Sequence, residues 1–331
     1  MTAVAEIGLP ADARQFQRAV VEPCQPVVLR GLVAKWPVVG AACTAASLRT
    51  YLGRFDCGGQ MDAFFGDPAI VGKYYYSDDL TGFNFTRRRM PLGAAMDQIL
   101  DDGPRDQSVY AGSLPLCDYL PGFAGENAMP LLPGGVEPRI WLGHASNVSA
   151  HYDTVDNLAC VVAGRRRFTL YAPQLIDSLY VGPIDHTMAG QPVAMAAAAP
   201  PGDRRYPRFA AARDAALTAD LGPGDALYLP KLWWHQVEAT APYNGLVNYW
   251  WDAFAAGPDA PYTSMLLAMI AIAERPAPER DAWKALFDHY VFRRSGHPLA
   301  HLPPERHGLL GPLAENYGKI RARIMHLLRG G

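Results

Sequence analysis

Five short stretches in the middle of the chain constrain its fold most: RIWLGHAS (139–146), NLACVVAG (157–164), RRFTLYAP (166–173), GDALYLP (224–230) and GLVNYWWD (245–252). Each is rich in β-branched or aromatic residues and bounded by Gly, Pro, Asn or Asp, the pattern of short strands rather than helices. Several such strands bury their apolar faces only by forming a sandwich or barrel. The stretch LACVVAGRRRFTLYA predicts two strands joined by a tight turn at Ala163-Gly164, a hairpin in which 161 faces 166 and 157 faces 170.

The flanks read differently. Helical spacing covers 11–22, 44–54 and 91–102, with short strands over 26–33 and 72–78. From 262 onward helical periodicity returns in SMLLAMIAIAE, RDAWKALFDHYVF and LLGPLAENYGKIRARIMHLL, segments apolar enough to need a partner surface. We therefore divide the chain into a β-rich domain over 1–257 and a helical extension over 258–331. The Ala/Pro-rich stretch 186–218 reads as an insertion lying over one face, in the manner of a lid or a spacer.

With 331 residues, half of them hydrophobic and 19% charged, the chain is no disordered segment. Its net charge of −2 argues against an electrostatic grip on nucleic acid or anionic lipid. No run of about 18 apolar residues is uninterrupted, so no spanning helix is expected. The N-terminal MTAVAEIGLPADARQF has no apolar core of the secretory kind. Five scattered cysteines without CxxC spacing fit reduced core thiols in a cytoplasmic protein.

The chemistry is concentrated in His151-Tyr152-Asp153 and, far along the chain, His235 in GDALYLPKLWWHQVEA. Residues i and i+2 of a strand project from the same side, so His151 and Asp153 can reach one ion. Two imidazoles and a carboxylate hold Fe(II) on one triangular face and leave positions open for substrate and dioxygen. Zinc usually recruits a closed four-ligand set, and no fourth ligand is evident. In the predicted hairpin Arg166 shares a face with His151, Asp153 and Asn157, where a guanidinium is suited to pairing with a carboxylate ligand.

HYDTVDNLACVVAGRRRFTLYAPQ followed by GDALYLPKLWWHQVEA resembles the JmjC/cupin-like Fe(II)- and 2-oxoglutarate-dependent oxygenases. Within them the chain is most similar to the branch of the hypoxia-inducible-factor asparaginyl hydroxylase. The resemblance spans about 25–255 and is most specific at 147–173 and 221–251; PVVLRGLVAKWP resembles the family's lead-in strand. It implies a mainly β fold, a double-stranded β-helix or jelly roll of eight strands, with flanking N-terminal and C-terminal helices.

The resemblance also implies roles. His151, Asp153 and His235 match the iron ligands, and Asn157, Asn248 and Tyr110 match residues that contact the cosubstrate, 2-oxoglutarate. Ser149 stands where the branch carries threonine, and Arg166 replaces the usual lysine as carboxylate anchor. Tyr76 and Asp78 in KYYYSDD, with Gln191 and Trp250, correspond to substrate contacts. Trp233 and Trp234 are read as pocket wall. The implied reaction is hydroxylation of a protein or peptide side chain, or of a small molecule, by dioxygen, with release of succinate and carbon dioxide. Two rivals stay open: a cupin metalloenzyme that does not use 2-oxoglutarate, and a non-catalytic jelly roll that docks peptides. Relatives pair through C-terminal helices, so a homodimer built on 262–328 is expected.

Overall fold

The computed structural model describes residues 1–70, 72–77, 81–101, 103, 106–185, 191–200, 202–255 and 257–329. The chain divides into two compact units, Met1–Ala253 and Phe254–Gly331, four residues before the boundary read from the sequence.

Strands in the first unit are β1 (Thr2–Ala3), β2 (Ala5–Glu6), β3 (Val27–Leu29), β4 (Gln60–Gly66), β5 (Lys73–Tyr74), β6 (Phe85–Pro91), β7 (Ser108–Pro115) and β8 (Pro138–Gly143). They continue with β9 (Ser146–His151), β10 (Asp156–Ala163), β11 (Arg166–Tyr171), β12 (Leu217–Leu221), β13 (Ala226–Leu229), β14 (Trp234–Ala239) and β15 (Asn244–Trp251). The eight strands β8 to β15 form the jelly roll. One antiparallel sheet runs β13-β10-β15-β8 and the other β12-β11-β14-β9. Among the described residues the first sheet continues through β7, β4 and β6 at one edge and through β3 and β2 at the other. The second gains β1 and β5 as parallel edge strands.

The continuous apolar run of β10 follows from its place at the centre. Leu158, Cys160 and Val162 point to a core shared with the N-terminal helices, including Leu48, Leu52 and Met96. Ala159 and Val161 point between the sheets, against Phe168, Leu170, Leu227 and Leu246. A strand buried on both faces has no need of the polar alternation that a one-sided strand shows.

The hairpin expected over 157–171 does not form. β10 lies between β13 and β15, β11 lies between β12 and β14, and the two are not partners. The turn at Gly164 carries the chain from one sheet to the other. Its φ of +70° suits glycine, and a Cβ there would lie 2.3 Å from Asn244 Oδ1 and 2.5 Å from the Tyr243 carbonyl. A sandwich corner and a two-residue hairpin use the same turn residues, so the local sequence does not separate them.

Elsewhere the helices fall close to expectation. Ala45–Gly53 is opened by a reciprocal cap: Ser47 N–H donates to Thr44 Oγ1 (3.1 Å), and Thr44 N–H donates to Ser47 Oγ (3.2 Å). The segment 11–22 is helical over Ala13–Phe16 and then widens into i→i+5 turns over Gln17–Val21. Strands β4, β6 and β7 are additions to the sequence reading. β6, FTRRRMP, is an exposed edge strand whose charges mask the β pattern. The cysteines need a correction too: Cys24, Cys43, Cys57 and Cys117 are exposed, and only Cys160 is in the core.

The insertion is structural wall. His186 to Gly190 lie outside the described residues, but Val193 bridges His151 and the Ala194 N–H donates to the Ala150 carbonyl (2.7 Å). Ala194 and Ala212 pack with Ala150, Tyr171 and Trp234.

The second unit contains helices Pro261–Ile272, Ala277–Tyr290 and Leu313–Leu328. Asp259 ties the start of the first to the last, through Tyr317 Oη and the Arg321 guanidinium (3.1 Å). No residue of Pro261–Ile272 or Ala277–Tyr290 is buried, although the former is strongly apolar.

Candidate active site

The jelly roll encloses a cavity of about 410 Å³, within the range of small-molecule sites. His151, Asp153, Asn157, Arg166, His235 and Asn248 all line it, as do Tyr110, Gln191 and Trp250. His151 and Arg166 come to one cavity because their strands belong to a sheet that faces β10 across the interior, not because they share a hairpin face.

His151 ends β9 and His235 stands directly opposite it on β14. Their ring centroids are 4.3 Å apart. Each ring is fixed from behind. His151 Nδ1–H donates to the Ser149 carbonyl (2.8 Å), and His235 Nδ1–H donates to the Trp233 carbonyl (3.0 Å). A carbonyl only accepts, so both Nδ1 atoms carry the proton and both Nε2 lone pairs are left for the cavity. Burial, reinforced by the neighbouring His151, lowers the pKa of His235 to about 4, which keeps its ring neutral.

Asp153 lies just beyond β9. Its Oδ2 is buried, has no hydrogen-bond partner and stands 3.8 Å from His235 Nε2. Among the described residues no three His, Cys, Asp or Glu are drawn into a ready-made metal cage. The donors are nonetheless of the right kind: two imidazoles and one unsatisfied carboxylate oxygen, a set that a cation completes.

Arg166 opens β11 and is 4% exposed. Its Nε and Nη2 are buried without partners, while its charge and a hydrogen bond act on the Tyr110 hydroxyl. Burial pushes the Arg166 pKa down and the Tyr110 pKa up, the two signs of a dry site. Tyr110 fits because two neighbours lack side chains. A Cβ on Gly143 would lie 2.6 Å from Tyr110 Cδ2, and one on Gly112 would lie 2.9 Å from its Cε1.

Asn157 and Asn248 form a relay on the opposite wall. Trp141 Nε1–H donates to Asn248 Oδ1 (2.6 Å), and Asn248 Nδ2–H donates to Asn157 Oδ1 (3.1 Å). Trp250 packs edge-on against Trp141, centroids 5.8 Å apart, and its Nε1 is buried without a partner. Gln191 Oε1 is in the same condition.

Four sequence-predicted residues stand elsewhere. Ser149 is buried outside the cavity lining, its hydroxyl donating to the Tyr74 carbonyl (3.2 Å). The cause is a bulge: His151 pairs with His235 but Val148 pairs with Val237, three positions on β9 against two on β14. That extra residue puts Val148 on the side of His151 and turns Ser149 away. Tyr76 is buried outside the cavity lining, its ring stacked on Phe83 at 5.8 Å. Trp233 and Trp234 belong to the core clusters rather than the lining. Asp78 lies outside the described residues.

Sequence reasoning missed the aromatic half of the cavity: Phe64, Tyr74, Phe85, Trp141 and Phe168, with Arg87. Trp141 was within reach, since Ile140 and Leu142 face the core and period-2 alternation turns Trp141 inward. Phe64 and Phe85 come from strands that the charged edge obscured. Leu232, between β13 and β14, has φ +68°, a conformation costing roughly 1–3 kcal/mol that persists where neighbouring contacts hold it.

Fold and cavity together define a cupin: a jelly roll with His, Asp and His donors gathered at its interior. The sequence pattern of the cupin-like domain family matches residues 13–257, and the chain belongs to that family. It is 40% identical over 250 residues to Jumonji C domain-containing protein 5 of Drosophila melanogaster, covering 72% of this chain and 57% of the fly protein. It is 30% identical over 167 residues to human HSPB1-associated protein 1, covering 49% of this chain and 32% of that protein. Human bifunctional peptidase and (3S)-lysyl hydroxylase JMJD7 is 26% identical over 282 residues, 76% of this chain and 84% of that protein. The chain thus spans about half or less of the first two relatives. The fly protein and JMJD7 set the likeness with Jumonji C proteins at large, and the narrower likeness to the asparaginyl-hydroxylase branch stays an expectation.

Proposed function

We propose that this protein is an Fe(II)- and 2-oxoglutarate-dependent oxygenase that hydroxylates a side chain of a protein or peptide. One observation carries the reading. Asp153 Oδ2, Arg166 Nε and Nη2, Gln191 Oε1 and Trp250 Nε1 are buried without partners, and all belong to residues lining one cavity. Unsatisfied buried polar atoms are rare in folded proteins and costly, so their gathering in one place marks a site completed by ligands. An orphan carboxylate beside two imidazoles calls for a cation. An orphan buried guanidinium calls for an organic anion.

In this reading His151, Asp153 and His235 hold the iron, the imidazoles through Nε2. Bound iron, with 2-oxoglutarate and dioxygen, supplies the oxidising power, giving succinate, carbon dioxide and one hydroxylated C–H bond. Arg166 and Tyr110 grip the far carboxylate of the cosubstrate, the guanidinium donating from Nε and Nη2. Asn157 and Asn248, locked to each other and to Trp141, present a polar wall of fixed orientation. The aromatic wall excludes water, so that a radical-forming site meets the substrate rather than solvent. Gln191 Oε1 and Trp250 Nε1, an acceptor and a donor, are left to orient the substrate side chain. The likeness to JMJD7, a lysyl hydroxylase, supports a protein side chain as substrate.

The second unit serves, in this reading, to pair two chains. Ile270 is 85% exposed, and Leu266, Leu267, Met269, Leu327 and Leu328 are exposed with it, more apolar surface than a solitary helix pair ordinarily presents to water. A closed twofold contact between such helices buries it.

The experiment is a succinate-release assay against peptide libraries. The reading requires that release depend on added Fe(II) and 2-oxoglutarate and stop when His151 is replaced by Ala. Turnover that persists in His151→Ala contradicts it.

A further inference from the structure

Two of the three candidate metal ligands, Asp153 and His235, are held by one loop, Pro230 to Trp233, and that loop is pinned by a carboxylate which does not reach the cavity lining. Asp156, the first residue of β10, is 1% exposed. Its Oδ1 accepts from Tyr228 Oη–H (2.9 Å) and from the Lys231 backbone N–H (3.4 Å). Its Oδ2 accepts from the Ala253 N–H (3.1 Å), and the Lys231 ammonium, 3.5 Å away, also pairs with Asp252. One buried anion therefore gathers the end of β13, the loop after it and the residues following β15.

The loop then reaches both ligand candidates. The Leu232 N–H donates to the Asp153 carbonyl (2.8 Å), and the Trp233 carbonyl receives Nδ1–H of His235. Leu232, next to the pinned Lys231 and itself the donor of the first of these contacts, is held at positive φ. A leucine left to itself relaxes from that conformation, and relaxation moves the Leu232 amide and the Trp233 carbonyl together. Releasing Asp156 would loosen the orientation of His235 and the placement of Asp153 in one step.

We propose that Asp156 is a positioning residue that pre-sets the Asp153–His235 side of the metal site by holding the 230–233 loop in its strained conformation. The proposal rests on the metal-site reading above. Groups that orient metal ligands from behind commonly change affinity 10- to 100-fold when removed. Asp156 acts through one more backbone link, so the lower end of that range is expected.

The test is Co(II) binding to the full apo-chain without cosubstrate or substrate, followed by titration calorimetry, together with the apo melting temperature. Asp156→Asn keeps the shape but cannot accept from both the Ala253 amide and the loop while balancing Lys231. We expect its Co(II) dissociation constant to rise about tenfold. Tyr228→Phe removes a single donor, leaves the fold in place should Asp156→Asn not fold, and is expected to weaken Co(II) about threefold. Leu48→Ala, in the core beneath the N-terminal helices, supplies the comparison: a lower melting temperature with Co(II) affinity unchanged. A Tyr228→Phe or Asp156→Asn chain that binds Co(II) within twofold of the parent overturns the positioning role. A parent chain that takes up no Co(II) overturns the metal-site reading itself, and the proposal with it.

Discussion

His151 and His235 are cross-strand partners on β9 and β14, ring centroids 4.3 Å apart, and each donates its Nδ1–H to the carbonyl two residues before it. The backbone of the jelly roll, rather than a neighbouring side chain, thus selects the tautomer that leaves Nε2 bare. This arrangement predicts that replacing either ring by a non-ligating isostere is enough to empty the site. His235→Leu, which carries no donor atom, should lower succinate release by roughly 100-fold or more while the fold is retained. Rates and far-ultraviolet circular dichroism measured on the same sample check it.

Arg166 decides between the leading reading and a cupin that needs no cosubstrate. Its two orphan donors are expected to meet a carboxylate, and hydrogen bonds to charged groups contribute about 1.5–3 kcal/mol each. Arg166→Ala should therefore raise the KM for 2-oxoglutarate by about 100-fold, and Arg166→Lys should restore part of the loss. Unchanged kinetics in both variants would favour the rival.

Tyr110 has its position because Gly143 and Gly112 make room for its ring. Gly143→Ala sets a methyl 2.6 Å from Tyr110 Cδ2, so either the ring or β8 must shift. Overpacking of this kind costs about 1–3 kcal/mol. The expected result is a melting temperature lowered by several degrees and a KM for 2-oxoglutarate raised about tenfold, read by thermal scanning and initial rates.

The parts of this architecture that were legible in the sequence are those encoded by local pattern. Leu158, Cys160 and Val162 announce a buried strand by composition alone, and the helical spacing over 44–54 announces the helix found at Ala45–Gly53. The cavity required pairings between distant segments. His151 and Asp153 can be placed on one side of a strand, but nothing local says that β9 bulges, and Ser149, which the family resemblance gives to the cosubstrate, serves Tyr74. The Ala163-Gly164 turn shows the same limit, because a hairpin and a sheet-to-sheet corner ask the same of those residues. Phe64 and Phe85 went unread because Arg87, Arg88 and Arg89 give β6 the look of a solvated loop.

The apolar surface of the second unit predicts association. Ile270→Asp combined with Leu266→Asp places two charges where a twofold contact would bury them, and an unpaired buried charge is strongly unfavourable. Light scattering should show a dimer for the parent chain at micromolar concentration and a 36 kDa monomer for the variant. A parent chain that scatters as a monomer would remove the pairing role.

The proposed chemistry requires the cavity to take a cation and an organic anion together. Anaerobic calorimetry of the parent chain and of Asp153→Ala, titrated first with Fe(II) and then with 2-oxoglutarate, measures this most directly. The account predicts one Fe(II) and then one 2-oxoglutarate bound per parent chain, with the second dependent on the first, and saturable uptake of neither by the variant. Equal uptake by both chains, or none by the parent, would contradict it.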